Sequence, residues 1–266
     1  MEKQPYIPFF IYAILSENIL RTQLYITFFI YAILTGFAFT LNAQPYSLEI
    51  ELKNQPDNHI VIGSVSGDDF HPIDTILLRK GNTANTKKAV YTFPENSEPG
   101  MYRLEFGKTT YAKVMDEPPQ QLDFIFNNED LIFETDFEKP LENLLVVLSE
   151  ENRVWFEFLQ REKIIQEKLE ELEMELDYYR EKGTGVSNSG NMIKNRVTQY
   201  NDLQVKRDEF ITEMVVRNPE LFARKLIEMY REPFPDGNLS KEDRREKFQK
   251  EYFNVVDFTD ESLMNS

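Results

Sequence analysis

The chain contains no cysteine in 266 residues. This excludes disulfides, thiolate metal sites, a cysteine nucleophile, a Cys-x-x-Cys redox pair and a lipid-modified N-terminal cysteine. Histidine is almost as scarce: His59 and His71 are the only two, so a Ser–His–Asp arrangement has little support. No Gly-rich phosphate loop, G-x-S-x-G elbow or H-E-x-x-H pair occurs. Positive charge is also short. Lys and Arg number 30 against 46 Asp and Glu, giving a net charge of −16. The excess of acid is −8 over residues 44–140 and −8 over 141–266, so no basic patch is expected. A duplex-binding surface needs clustered Lys and Arg to displace counterions. Nucleic acid is therefore not an expected partner, and neither is an anionic membrane surface.

What the chain does have is one apolar decapeptide twice. Residues 6–15 read YIPFFIYAIL and residues 25–34 read YITFFIYAIL. A membrane-spanning helix needs roughly 20 apolar residues, and the first copy is too short and contains Pro8. The second sits inside the uncharged run Leu24–Leu41, preceded by Arg21 and followed by Asn42-Ala43-Gln44. A basic flank, an apolar core and a small terminal residue make the pattern of a secretory signal peptide. Cleavage after Ala43 would leave Gln44 first, although Leu41 at the −3 position is not ideal. An uncleaved signal anchor is the alternative. A two-helix membrane hairpin fits less well, because Ser16–Arg21 is charged and the first arm is short. The expected address is export to the periplasm, or an inner-membrane anchor facing it. Contact with a membrane is expected only through an uncleaved N-terminal segment. Without disulfides, such a protein must be held by packing alone, as bacterial envelope proteins commonly are. With 41% hydrophobic and 13% aromatic residues, the chain can build cores.

The fold class read from the sequence is α+β. An N-terminal antiparallel β-sandwich or open barrel (45–138) precedes an all-α domain with a long helical hairpin (141–266). Short β-prone runs separated by turn residues fill the first part: 46–52, 59–65, 74–80, 89–93, 101–106, 111–115, 121–126 and 131–137. Phe126-Asn127-Asn128-Glu129-Asp130-Leu131 reads as a hairpin. After Pro140 the period changes. Ser149 with Glu150 and Glu151 marks a helix start. Ile165, Leu169, Leu172, Leu176 and Tyr179 make one stripe, extended upward by Trp155 and Phe158 and interrupted by Glu162. Glu167, Glu170, Glu171, Glu173 and Glu175 are expected on solvated faces. Residues 183–190 stop that helix, and a second is expected from about Met192 to Arg217, with Ile193, Val197, Tyr200, Leu203, Phe210, Ile211 and Met214 inward. Two helices joined by a polar loop make an antiparallel hairpin. Asn218-Pro219 should start a third helix, and Ser240 should cap a fourth that runs to about Phe253.

Candidate chemistry is thin. A di-metal bundle adds Glu/His pairs to facing helices, and the helical half has no histidine. His59 and His71, with Asp68 and Asp69 between them, would need to be folded together to hold a metal. They are read instead as unrelated strand-edge residues. Asp57, Asp68, Asp69 and the Asp236-Gly237-Asn238 turn lack a calcium loop's distal Glu and are read as turn formers. Exposed sheet edges, or the cluster Trp155, Phe156 and Phe158, could bind a peptide. For the cluster, docking of helices onto the sheet is the favoured reading. No catalytic, metal-ligating or cofactor-binding residue is assigned, and no cofactor is expected.

Several phrases occur in a telling order: QPDNHIVIGSV, EPGMYRLEF, FNNEDLIFETDF, LLVVLSEENRVWFEFLQ, RNPELFARKLIEMY and EYFNVVDFTDESLMNS. Together they resemble the N-terminal β domain and helical linker of Bacteroidetes periplasmic thioredoxin-like (thiol-disulfide oxidoreductase) proteins. The likeness covers most of residues 45–266. In that family the redox pair lies in a following thioredoxin domain, which this sequence does not include. The resemblance implies a non-catalytic exported binding or scaffolding module of the envelope, with a thioredoxin-like protein or domain as partner. The alternative is a truncated or split thiol-disulfide oxidoreductase whose redox domain is missing or separately encoded.

Overall fold

The computed structural model describes residues 45–182 and 189–252. The expected signal segment (1–43), the hairpin loop (183–188) and the last 14 residues (253–266) lie outside the described residues. Alternation organises the first half. In β1 (Ser47–Lys53), Leu48, Ile50 and Leu52 are buried, while Glu49 and Glu51 between them face the other way. This period of two is what a strand with one wet face requires. The strands that follow are β2 (His59–Ser66), β3 (Asp69–Leu77), β4 (Arg79–Lys80), β5 (Thr86–Thr92), β6 (Gly100–Gly107), β7 (Gln120–Phe126), β8 (Leu131–Asp136) and β9 (Leu145–Leu148), and the alternation recurs most clearly in β6 and β8. One sheet has the order β4-β5-β1-β8-β9, the other β3-β2-β6-β7. Their inner faces meet through aromatics: Phe93 stacks on Phe126 at 3.8 Å, and Phe124 meets Phe133 edge-on at 5.7 Å.

The helices are α1 (Thr110–Met115), α2 (Glu150–Lys182), α3 (Ser189–Arg217), α4 (Phe222–Glu228) and α5 (Lys241–Glu251). Ser149 caps α2 as expected, its hydroxyl accepting from the Asn152 N–H at 3.0 Å. The pairs Phe158 with Phe210, Glu162 with Arg207 and Glu175 with Arg196 run in opposite numerical directions. α2 and α3 are therefore an antiparallel hairpin, and the fold is α+β, with β-sheets first and long helices after.

Five local expectations change. Residues 111–115 form α1, not a strand. The Thr109 hydroxyl caps the Ala112 N–H at 3.0 Å, and Tyr111, Val114 and Met115 stay exposed with no sheet partner. The expected strand 74–80 is a junction. β3 starts earlier, at Asp69, after a turn in which Gly67 adopts φ +58°, and the chain then crosses at Leu78 into the other sheet. Phe126–Leu131 is not a hairpin between paired strands. It carries the chain from one sheet to the other, and β8 pairs in parallel with β1, Ile50 lying opposite Phe133. Residues 145–148, inside the stretch expected to be an all-α domain (141–266), form β9 and extend the first sheet. Finally, Pro219 lies in a turn, and α4 starts only at Phe222. The reason is tertiary: both carboxylate oxygens of buried Glu151 accept from the first α4 amides, Phe222 N at 2.9 Å and Ala223 N at 2.7 Å.

The helical half shares its core with the sheets. Trp155, Phe156, Phe158, Phe210, Ile211, Ala223 and Ile227 belong to one apolar cluster with the inward residues of both sheets. A second, smaller cluster of Leu172, Leu176, Val197 and Tyr200 lies farther along the hairpin. Between them sits the ion pair of Glu162 and Arg207, 4% and 3% exposed. This accounts for the one break in the α2 stripe.

Candidate functional site

The histidines lie on adjacent strands but far apart in register. His59 is opposite Leu77, His71 is opposite Ser64, and both are exposed. Among the described residues, no three His, Asp or Glu side chains converge as a metal site needs. Gly67 and Asp68 form the β2–β3 turn, whereas Asp69, read as a turn former, is the first residue of β3, opposite Ser66. Asp57 lies against Gly107, whose φ of +96° and lack of a Cβ leave room for the Asp57 carboxylate. Asp236 shapes its own turn. It accepts from the Asn238 N–H at 2.9 Å and from the Asn201 amide at 3.0 Å, and these bonds hold its carboxyl below the usual range. Trp155, Phe156 and Phe158 are buried, with Phe158 stacked on Phe210 at 5.6 Å and met edge-on by Tyr230 at 4.9 Å. A peptide cannot reach them.

Of the five glutamates read as solvated, two are corrections: Glu175 is half-buried and pairs with Arg196 at 2.6 Å, and Glu173 is half-buried too. It accepts from Arg244 Nε at 3.1 Å, while Asp177 takes the same guanidinium's Nη2 at 2.9 Å. The attraction is that Arg244 is 2% exposed and needs counter-charge. Residues of α2, α3, α5 and the 232–235 segment line a cleft of about 440 Å³. Its two buried guanidiniums are already occupied. Arg207 donates to Glu162 at 2.8 Å, Glu232 at 2.7 Å and the Tyr230 carbonyl at 2.9 Å. Arg244 has its two carboxylates and the Leu239 carbonyl at 2.9 Å. Tyr200, between them, has its phenol pushed up to about 12, by burial first and then by Glu173. These contacts tie the helices to one another and occupy both buried guanidiniums.

The sheet edges differ sharply from one another. A bare edge offers unpaired N–H and C=O groups to any other strand. β3, one edge of the second sheet, carries Asp69, His71, Pro72 and Asp74. β7, the other edge, is met by the Asn152 side chain, which is fully buried. Its Oδ1 accepts from Ile125 N at 2.8 Å, and its Nδ2 donates to Ile125 O at 2.7 Å. The amide thus does what one residue of a further strand would do. β4, at one end of the first sheet, is two charged residues long. β9, at the opposite end, is Leu145-Val146-Val147-Leu148. No described strand pairs with its outer side. Leu145, Val147 and Leu148 are 55%, 52% and 47% exposed, and Leu141 stands exposed nearby.

Sequence reasoning had named exposed edges in general but not this one. The signal was available: residues 143–149 are uncharged in a chain that is 29% charged, with Val146-Val147 at the centre. No protein-family model matches the chain, and no curated protein matches it.

Proposed function

We propose that this chain is a non-catalytic binding or scaffolding module of the bacterial envelope, exported by its N-terminal segment, which engages its partner along β9. The observation that carries this reading is the contrast between edges. β3 carries charge and proline, and β7 meets the Asn152 amide at Ile125. β4 is charged and pairs only with Lys87 and Lys88 of β5, and β9 presents four apolar residues with no described strand outside it. Strand addition is a recurrent mode of recognition, in which main-chain hydrogen bonds give affinity and alternate side chains give selectivity. Export is supported by the basic flank, apolar run and small residue of 21–43.

The test is fractionation combined with a site-specific photo-crosslinker in a bacterial host. The full chain should appear in the periplasm, with a discrete adduct from position 147 and none from position 90, an exposed position on β5 of the same sheet. A cytoplasmic protein, or equal labelling at both positions, would defeat the reading.

The order of phrases along residues 45–266 favours a second reading, a thiol-disulfide oxidoreductase whose redox domain is missing or separately encoded. Reduction in that chemistry starts from a thiolate, and this chain has none. On that reading the purified chain is inactive towards insulin disulfides by itself, and it raises the activity of a thioredoxin-like protein added in trans. No such stimulation would leave the binding module alone.

A further inference from the structure

We infer that the segment received by β9 is an extended, apolar strand flanked by Lys or Arg, not a second copy of this chain. The inference rests on the edge-binding reading above and adds the chemistry of the ligand. The strand itself is neutral, so selectivity must come from what surrounds it. Glu134 lies opposite Leu145 on the neighbouring strand and is exposed, and Glu138 is exposed just beyond the end of β8. Glu142 precedes β9 and Glu150 follows it. The basic groups nearby are Lys139, Lys163 and Arg153; Lys139 first, and Lys163 after it, hold the Glu142 carboxyl below its usual range. Lys139 pairs with Glu142 at 2.8 Å, and Arg153 pairs with Glu150 at 2.5 Å and Glu157 at 3.9 Å. Glu134 and Glu138 have no such partner among the described residues; because β8 and β9 are antiparallel, both lie at the Leu145 end of the open edge, which keeps surplus negative charge.

A second copy is disfavoured by the same charges. Antiparallel pairing of β9 with itself would be permitted by its sequence, because Leu-Val-Val-Leu reads the same in both directions. It would also bring together two chains of net charge −16 and set like acids around a four-residue contact. Complementary charge steers encounter, and like charge suppresses wrong partners. A strand with cationic ends avoids that repulsion and places a charge beside Glu134 and Glu138. Its inner residues would pack against Leu145, Val147 and Leu148.

The experiment uses the full chain and two labelled synthetic peptides of alternating Val and Thr, one ending in two lysines on each side and the other in two glutamates. Binding is followed by fluorescence anisotropy at low and high salt. The lysine-ended peptide should bind at least about tenfold more tightly at low salt, and the gap should narrow as salt screens the exposed charges. Val147→Lys should lower its affinity by about tenfold or more, because a charge on an edge strand blocks pairing. Val90→Lys, an equally exposed change elsewhere on the sheet, should leave affinity unchanged. Both variants should keep the parent melting temperature. Equal or reversed preference between the peptides, still lost in Val147→Lys, would overturn the ligand class and leave the edge as the binding site. Concentration-dependent dimerisation abolished by Val147→Lys would overturn the inference in favour of a second copy. Absence of any Val147-dependent binding would overturn the inference and the edge reading together.

Discussion

Glu162 Oε1 accepts from Arg207 Nε at 2.8 Å, at the level of the hairpin where one apolar cluster ends and the next begins. Gln166 donates to the same oxygen at 2.8 Å, while the buried Oε2 has no partner. A buried pair of this kind is costly to desolvate and more costly to break. Arg207→Ala should destabilise the protein by about 3–5 kcal/mol, because it strands a buried carboxylate. Replacing both residues with apolar ones, Glu162→Leu with Arg207→Met, should cost far less than the single change. Urea unfolding of the three proteins measures the difference. A double variant as unstable as the single one would show that the pair itself contributes the stability.

Asn152→Ala should remove the amide that closes the β7 edge and leave the Ile125 N–H and C=O unpaired. Each unsatisfied buried group costs about 1–3 kcal/mol, so the loss should exceed that of an exposed control such as Gln160→Ala. Asn152→Asp keeps the acceptor for Ile125 N but sets a buried carboxylate oxygen against Ile125 O, and should cost at least as much as Asn152→Ala. Hydrogen exchange at the Ile125 amide reports the local effect directly.

Leu172→Asp places a carboxylate at a position 2% exposed, among Leu176, Val197 and Tyr200. The expected cost is several kcal/mol, whereas Glu171→Ala at a solvated position should stay within about 0.5 kcal/mol. Leu172 and Trp155 belong to different clusters, so the damage should begin locally. Circular dichroism should register an early loss of helix while Trp155 fluorescence still reports a folded core. Coincident transitions in the variant would instead show that the hairpin and the sheets melt as one unit.

Tyr200 supplies a pH prediction. Its folded pKa is raised from 10.0 to about 12, chiefly by burial, with Glu173 adding to the rise. The folded state therefore holds this proton more tightly than the unfolded state. The associated stability is fully present below pH 10 and is lost as pH rises towards 12. Spectrophotometric titration should show one phenol ionising late that is absent in Tyr200→Phe. Stability in that variant should also fall less between pH 10 and 12.

The elements that were legible in the sequence are those whose pattern is local. The alternation of Leu48, Ile50 and Leu52 and the 4-3-4-3 stripe through Leu169, Leu172 and Leu176 needed no partner to be recognised. The elements that were not legible depend on distant residues. α4 begins at Phe222 because Glu151, 71 residues away, caps it, and no window around Pro219 contains that fact. β8 pairs in parallel with β1 for the same kind of reason. Glu173 and Glu162 looked like an exposed residue and a blemish until Arg244 and Arg207 reached them from other helices. The candidate edge was hidden differently. A four-residue strand is short enough to be absorbed into the helix that follows, and nothing within it shows which side is left unpaired.

The parallel pairing of β1 with β8 has a consequence in time. The Ser47 amide is tied to the Asp130 carboxylate at 2.8 Å across 83 residues. A ribosome adding about 5–20 residues per second would need roughly 4–17 s to make that stretch. Only in the second half of that interval, once residues 86–92 exist, can β1 find β5 on one side, and its other side still has no mate. The first sheet can be finished only after β9, the last strand of both sheets, has been synthesised. Whatever holds the nascent chain during those seconds meets a half-paired β1, with Leu48, Ile50 and Leu52 still uncovered by β8.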